Sequence, residues 1–331
     1  MLVRTTLATV LGATLLLAGI TTTAEASAEE VTLGTLAPKN SPWGKVFSAW
    51  AKAVNKKTDG KLDLKFYWNG SQGDEKAMID KMRAGQLDGG AVTSVGLAKI
   101  HKDFLGLQMP GLCTNWKCVD KVRNGVASDL QGKAEGAGFY LLGWGDVGLA
   151  RTFSKGKAIK SPDDLKGMKV YGSESDPAAK VIGSVIGYTP VLKGVPALLP
   201  ALSSGQVNVA TVPALAATQL QWSSHFDHVT DDAAAGVIGG LVVRKKTIDG
   251  LPGDVKDTLK STGKKAGEML TDRIREEDAK AFKLVSGKMK VVTLSGDEKG
   301  KWKKVFAEIR TKLGQGEFSA DYVKKLEGLA K

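Results

Sequence analysis

Three features of this chain could carry chemistry: a pair of cysteines, a pair of histidines and a glycine-spaced loop. Gly143-Trp144-Gly145-Asp146-Val147-Gly148 has the spacing of a dinucleotide-binding turn. Such a turn works only where it opens a helix whose N-terminus receives phosphate. Leu149–Phe153 reads as extended instead, and Lys160-Ser161-Pro162 stops any helix, so no phosphate site is expected there. His225 and His228 could offer two nitrogens at metal-ligand spacing, but Asp231 and Asp232 are poor further ligands and a surface loop is the expected reading. His101, beside Lys102 and Asp103, reads as solvated. No Gly-x-Ser-x-Gly elbow, phosphate loop or His-Glu-x-x-His helix occurs. No nucleophile can be paired with a base and an orienting group, so neither catalysis, cofactor nor metal is expected.

Cys113 and Cys118 are the two cysteines of the 331-residue chain. In an exported protein they should pair. A regular helix would hold their Cα atoms too far apart for a disulfide, so the segment between them must turn. Two thiols with no further cysteine in the chain fall short of a zinc site, so none is expected. Export itself is read from the first 28 residues. Arg4 is followed by an apolar run from Leu7 to Ile20, then by the small-residue sites Ala24-Glu25-Ala26 and Ala26-Ser27-Ala28. That run, about 14 residues broken by glycine and threonine, is short of the roughly 20 a membrane span needs. A cleaved secretory signal is therefore expected, with no lipid anchor. The chain carries 47 basic and 35 acidic residues, a formal net charge of +12. The basic residues are spread out and lack nucleic-acid motifs, so nucleic acid is not an expected partner. The charge reads as a solvated basic surface.

The elements that must position any site show a weak repeat. Ala84-Gly85-Gln86-Leu87-Asp88 resembles Ser204-Gly205-Gln206-Val207-Asn208, with Gly85 and Gly205 where a helix C-cap belongs. In the first half a strand at Val31–Leu36 leads through Ala37–Pro42 to a helix with Val46, Phe47, Trp50 and Val54 at helical spacing. A strand at Leu62–Tyr67 and a helix near Glu75–Arg83 follow. The second half repeats the order: a strand at Met168–Tyr171, the loop Gly172–Pro177, a helix, a strand near Thr189–Leu192 and another helix. Each half is a β-α-β-α-β unit, which predicts an α/β fold with mostly parallel sheets flanked by helices. From Pro252 to about Leu284 the spacing predicts one helix of roughly 50 Å, long enough to cross both lobes.

In open α/β sheets ligands bind beyond the carboxyl ends of the strands. Those ends carry Ala37–Trp43, Thr93–Ser94, Gly172–Pro177 and Thr211–Pro213, so a cleft between the lobes is expected there. Trp43, Trp68 and Trp144 fall near strand ends or loops facing that cleft and are read equally as cleft aromatics or as core, whereas Trp50 reads as core.

Several stretches resemble the solute receptors of tripartite ATP-independent periplasmic (TRAP) transporters of the dicarboxylate-binding type. Ser41-Pro42-Trp43 is similar to the motif opening that family's first helix. Asn69-Gly70-Ser71-Gln72-Gly73-Asp74-Glu75 is similar to its turn before the second helix, less one apolar residue. Ile159 to Val170 resembles the lead into the first strand of lobe two, and Leu284–Leu294 resembles the stretch after the long helix. The resemblance implies a two-lobed periplasmic-binding-protein fold and a receptor that closes on a small-molecule solute. Its implied partners are TRAP-type membrane permease subunits driven by an ion gradient, with an accessory periplasmic protein, in the periplasm of a Gram-negative type bacterium.

The resemblance also places the site. The arginine that clamps a carboxylate in that family falls at Tyr171, and its asparagine before a proline falls at Val212. Another family arginine falls at Ala150, with Arg151 one residue later. Glu75 keeps the turn's acid. The candidate ligand-binding residues are thus Trp43, Glu75, Thr93, Ser94, Trp144, Arg151, Tyr171, Ser173, Thr211 and Val212. Without the bidentate arginine a simple dicarboxylate loses its most specific partner. The expected boundaries are residues 29–147 for lobe one, with about 236–270 returning to it, and 148–235 for lobe two, with about 271–331. The other functions weighed are a carrier of lipid or another hydrophobic ligand, a ligand-sensing receptor for a membrane sensor, and a periplasmic enzyme.

Overall fold

The computed structural model describes residues 28–331, so the expected secretory signal lies outside the described residues. The first unit runs β1 (Glu29–Thr35), α1 (Pro42–Lys57), β2 (Leu62–Tyr67), α2 (Glu75–Arg83) and β3 (Gly89–Thr93). A short helix α3 (Ser94–Leu97) and a long one, α4 (Trp116–Gly136), lead to the 16-residue strand β4 (Phe139–Ser154). The second unit is β5 (Tyr171–Ser173), α5 (Ala178–Ile186), β6 (Val191–Lys193), α6 (Val195–Ser203) and β7 (Val209–Pro213). Then come α7 (Ala214–Gln219), β8 (His228–Thr230), β9 (Ala235–Arg244) and α8 (Lys245–Gly250). The chain closes with α9 (Gly253–Ser286), β10 (Lys290–Val292), α10 (Gly296–Leu313) and α11 (Ala320–Ala330). Both β-α-β-α-β units are present, but the first strand of the second unit is Tyr171–Ser173 and not the expected Met168–Tyr171, so Gly172 and Ser173 belong to the strand and not to the loop after it.

Within the first unit β1 pairs in parallel with β2 and β3, and in the second β5 pairs in parallel with β6. The long strands β4 and β9 run antiparallel to each other and join the lobes. β9 pairs with β3 at one end, while β4 pairs with β7 and β8 at the other. The glycine-spaced loop lies wholly inside β4, with no helix at its end, which is why it cannot cradle phosphate. Its glycines serve the crossing. Gly145 faces Gly239 in the ladder, and the register slips by one residue between Asp146 and Gly148. That bulge bends the strand where it passes between lobes.

The helix α9 spans 34 residues, about 50 Å. Val255, Leu259, Ala266, Leu270, Ile274, Ala281 and Val285 form its buried stripe, against α1 and β4 in one lobe and α7 in the other. A side chain at Gly267 would stand 2.3 Å from the Trp144 carbonyl oxygen, so only glycine lets α9 lie this close to β4. The two faces of the main sheet carry separate cores. One gathers Trp50, Leu259 and Ile274, and the other gathers Met78, Phe104 and Leu130. Helix α10 packs on α5, and α11 packs on α4.

The Cys113–Cys118 disulfide is present, with Cα atoms 5.3 Å apart. Cys113 lies in the turn and Cys118 in the first turn of α4, which Asn115 caps by accepting from the Cys118 amide at 3.0 Å. Among the described residues no helix is long and apolar enough to cross a membrane.

Candidate functional site

A cavity of about 370 Å³ lies between the lobes, roofed by the loop after β1 and by α1 and α2, floored by β4 and β9, and closed by the second unit. Seven of the ten candidate residues reach its wall: Trp43, Glu75, Thr93, Tyr171, Ser173, Thr211 and Val212. Ser94, Trp144 and Arg151 do not.

Ser41 starts α1 by accepting from the Gly44 amide at 3.2 Å, with Pro42 in the first turn. That start directs Trp43 across the cavity, where its indole N–H donates to the Asp146 carbonyl at 3.4 Å. Asp74 and Glu75 open α2. The Glu75 carboxylate is buried and accepts from the Thr93 amide at 2.6 Å and from the Thr93 hydroxyl at 2.7 Å. Burial pushes the Glu75 carboxyl up to about 7 against those two hydrogen bonds, and neighbouring Asp74 pushes the same way. Thr93 is held from both sides, because its hydroxyl also accepts from the Val95 amide at 3.2 Å.

From the second lobe, Tyr171 begins β5 and its hydroxyl is buried with no hydrogen-bond partner. Burial first, and Asp74 next, hold that hydroxyl well above the usual tyrosine range, against the opposing pull of the nearby Ser173 side chain. The Ser175 hydroxyl donates to Asp74 Oδ2 at 3.4 Å, a direct contact between lobes. Asp176 caps α5 by accepting from the Ala178 amide at 2.8 Å, and burial pushes its carboxyl up to about 6. On the floor, Thr152 and Thr211 face each other across the strands with hydroxyl oxygens 3.1 Å apart. Val212 pairs with Arg151 in the ladder and is buried, and it borders the cavity beside Thr211.

The three residues outside the wall have other duties. The Ser94 hydroxyl donates to the Ile238 carbonyl at 3.1 Å and ties the start of α3 to β9. Trp144 packs against Phe104, with ring centres 5.8 Å apart, so it belongs with the core. Arg151 lies over the Phe282 ring of α9 and donates to the Asp231 and Leu149 carbonyls at 3.3 and 3.2 Å. Ala150 and Thr152 line the cavity and Arg151, between them, points away, because successive strand residues alternate faces.

Sequence reasoning missed several wall residues. Gln108 borders the cavity with its side-chain oxygen buried and unpartnered. Trp302 and Phe306 of α10 stack 5.3 Å apart and reach the same wall. Their four-residue spacing on a helix was a readable sign of an aromatic face, though not of what it would meet. Asp146 also borders the cavity, bound by Arg123 at 2.8 Å and Arg275 at 2.6 Å, and burial raises its carboxyl against their pull. Asp120 completes this network by accepting from both arginines. Asp278 of α9 lies beneath the crossing, accepting from the Leu149 and Leu215 amides at 2.9 Å each.

No lysine, arginine or histidine is among the described residues that line the cavity. The charged groups there are Glu75, Asp146 and Asp176, and only Asp146 is in an ion pair. Aliphatic and aromatic side chains make up most of the remainder. Such a wall binds by apolar contact and a few fixed polar groups. The histidine pair lies elsewhere: His228 pairs with Asp227, and His225 with Ser203. Among the described residues no group of three or more histidine, cysteine or acidic side chains could hold a metal.

Comparison with known proteins gives a consistent frame. The model of the family described as bacterial extracellular solute-binding protein, family 7 (DctP), matches residues 33–315. The C4-dicarboxylate-binding periplasmic protein DctP of Rhodobacter capsulatus is 23% identical over 322 residues, covering 95% of each chain. The 2,3-diketo-L-gulonate-binding periplasmic protein YiaO of Escherichia coli K12 is 25% identical over 234 residues, covering 69% of each. Among solved structures, the sugar acid binding protein DctPAm of Advenella mimigardefordensis, in complex with galactonate, superposes with a TM-score of 0.86 at 21% identity. It covers 92% of this chain and 99% of its own. A TRAP periplasmic solute-binding protein of Sulfurospirillum deleyianum with bound succinate gives a TM-score of 0.82 at 20% identity, covering 91% and 98%.

Proposed function

The chain belongs to the bacterial extracellular solute-binding protein family 7, and from that premise we propose that it is a periplasmic receptor closing on a small organic solute between its lobes. It hands that solute to a TRAP-type permease driven by an ion gradient, with an accessory periplasmic protein as a further partner. The observation that carries this reading is the cavity of about 370 Å³ between two lobes joined by β4 and β9. Two crossing strands with a bulge at Asp146–Gly148 make a narrow connection at which the lobes can rotate. The candidate contacts are Trp43, Glu75, Thr93, Tyr171, Ser173, Thr211 and Val212.

The receptor is not an enzyme in this reading. The one hydroxyl–carboxylate contact on the wall, Thr93 with Glu75, has both groups committed to structural hydrogen bonds. The relatives whose names state a ligand bind organic acids. Here the clamp position is Tyr171, so the scaffold is shared and the ligand chemistry is this chain's own.

The test is native mass spectrometry of freshly purified mature protein to identify a co-purified solute. Small-angle scattering of emptied protein with and without that solute then reads the motion. A smaller radius of gyration on binding is expected, and an unchanged radius at saturation would overturn a closing receptor.

A further inference from the structure

We propose that the cavity selects an uncharged, mostly apolar solute carrying one or two hydroxyl groups, with Tyr171 and Gln108 as its polar contacts. This rests on the receptor reading and names the class of solute that the receptor takes.

The charge on the wall decides against an acid. Burying a carboxylate without a partner is strongly unfavourable. No lysine, arginine or histidine lines the cavity among the described residues, and Arg151 is turned to the opposite sheet face against Phe282. Arg123 and Arg275 lie behind Asp146 and are already bound by it and by Asp120. A carboxylate here would meet Glu75 and Asp176, neither in an ion pair, with Asp74 close behind Tyr171. A cation is also a poor fit. Glu75 already accepts twice from Thr93, Asp176 caps α5, and the chain carries a net charge of +12.

Two residues of the wall, Tyr171 and Gln108, carry a polar atom that is closed off from water and meets a ligand only when the side chain turns into the cavity. The Tyr171 hydroxyl and the Gln108 side-chain oxygen are both buried and both unpartnered. A buried polar atom without a partner is costly, so each is a standing demand for a neutral polar group. A hydroxyl answers either one, because it accepts from the tyrosine and donates to the amide oxygen. The walls beyond them are apolar on both sides. Phe47, Leu270, Ile182, Ile186, Trp302 and Phe306 all contribute to them.

The experiment is calorimetric titration of emptied, refolded mature protein with 1,6-hexanediol, 1,8-octanediol, suberate and succinate, followed by scattering with whichever binds. Octanediol should bind about fifteenfold tighter than hexanediol, fourfold for each methylene. Suberate, with the same number of carbons, should bind at least tenfold weaker than octanediol. Tyr171→Phe should weaken octanediol several-fold while leaving the circular dichroism spectrum unchanged. Tyr171→Arg should reverse the preference between octanediol and suberate. Suberate or succinate binding tighter than the diols, or no binding by either diol at millimolar concentration, overturns the proposal. An acid that binds tightly and shrinks the radius of gyration removes the solute class and leaves the receptor standing. Binding without any change in radius removes the receptor reading itself.

Discussion

Arg151 lies flat on Phe282, its guanidinium carbon 4.0 Å from the centre of the ring. The contact joins β4 to the long helix α9 on the face of the sheet that turns away from the cavity. One residue to either side, Ala150 and Thr152 line that cavity. A cation that the sequence places one step from a binding position is thereby spent on holding a helix. Asp278 and Asp231 supply the nearby negative charge, while burial lowers the affinity of the guanidinium for its proton.

Arg151→Ala should therefore leave solute affinity within twofold and lower stability by about 1–2 kcal/mol through loss of the stacked contact. Urea denaturation alongside titration of the co-purified solute separates the two effects. A tenfold loss of affinity at unchanged stability would return Arg151 to the site.

Glu75 should make the protein more stable in mild acid. An acid held above its ordinary value binds its proton more tightly in the folded chain, so stability rises as pH falls through about 7 and levels off near 4.5. Between pH 8 and 5.5 the gain from this group is about 2 kcal/mol. Asp176, pushed up to about 6, adds in the same direction at lower pH. Glu75→Gln mimics the protonated acid, accepting from the Thr93 amide and donating to its hydroxyl, and should flatten most of that slope. Denaturation curves at pH 8 and 5.5 decide it, and an equal slope in the variant would remove Glu75 as its source.

Replacing both Cys113 and Cys118 with serine should lower stability by about 2 kcal/mol, the entropy recovered by opening so short a loop. Solute affinity should be unaffected, because neither cysteine borders the cavity. Thiol titration of the unfolded, unreduced wild type should find no free thiol, and two would contradict the pairing.

Asp146→Ala should be the most damaging of these changes, costing about 3 kcal/mol or more. It leaves Arg123 buried and Arg275 half-buried without their shared acceptor. Asp120 retains a contact to each arginine and limits the loss. Loss of stability no greater than that of an exposed alanine substitution would mean that Asp120 suffices alone.

Much of this architecture was written locally. The repeated strand–helix order, the capped start of α1 at Ser41-Pro42 and the apolar stripe of α9 are patterns within a few turns of chain, so periodicity and capping chemistry reveal them. The cysteine pairing followed from spacing and export, whereas Tyr171 as the position of the clamp is what the family resemblance implies. Which side chains meet at the cavity was not local. The face on which Arg151 falls depends on pairing between β4 and β7, and on a bulge between Asp146 and Gly148 that no sequence pattern marks. Gln108, Trp302 and Phe306 reach one wall from segments almost 200 residues apart in sequence. Asp278 finds its two amide donors on β4 and α7 only because α9 crosses beneath both. The sequence by itself determined the elements and the types of residue available, since those depend on short-range sterics and apolar spacing. Tertiary structure alone decided which of them share a cavity, because alternation along a strand makes a one-residue shift in register the difference between binding a solute and bracing a helix.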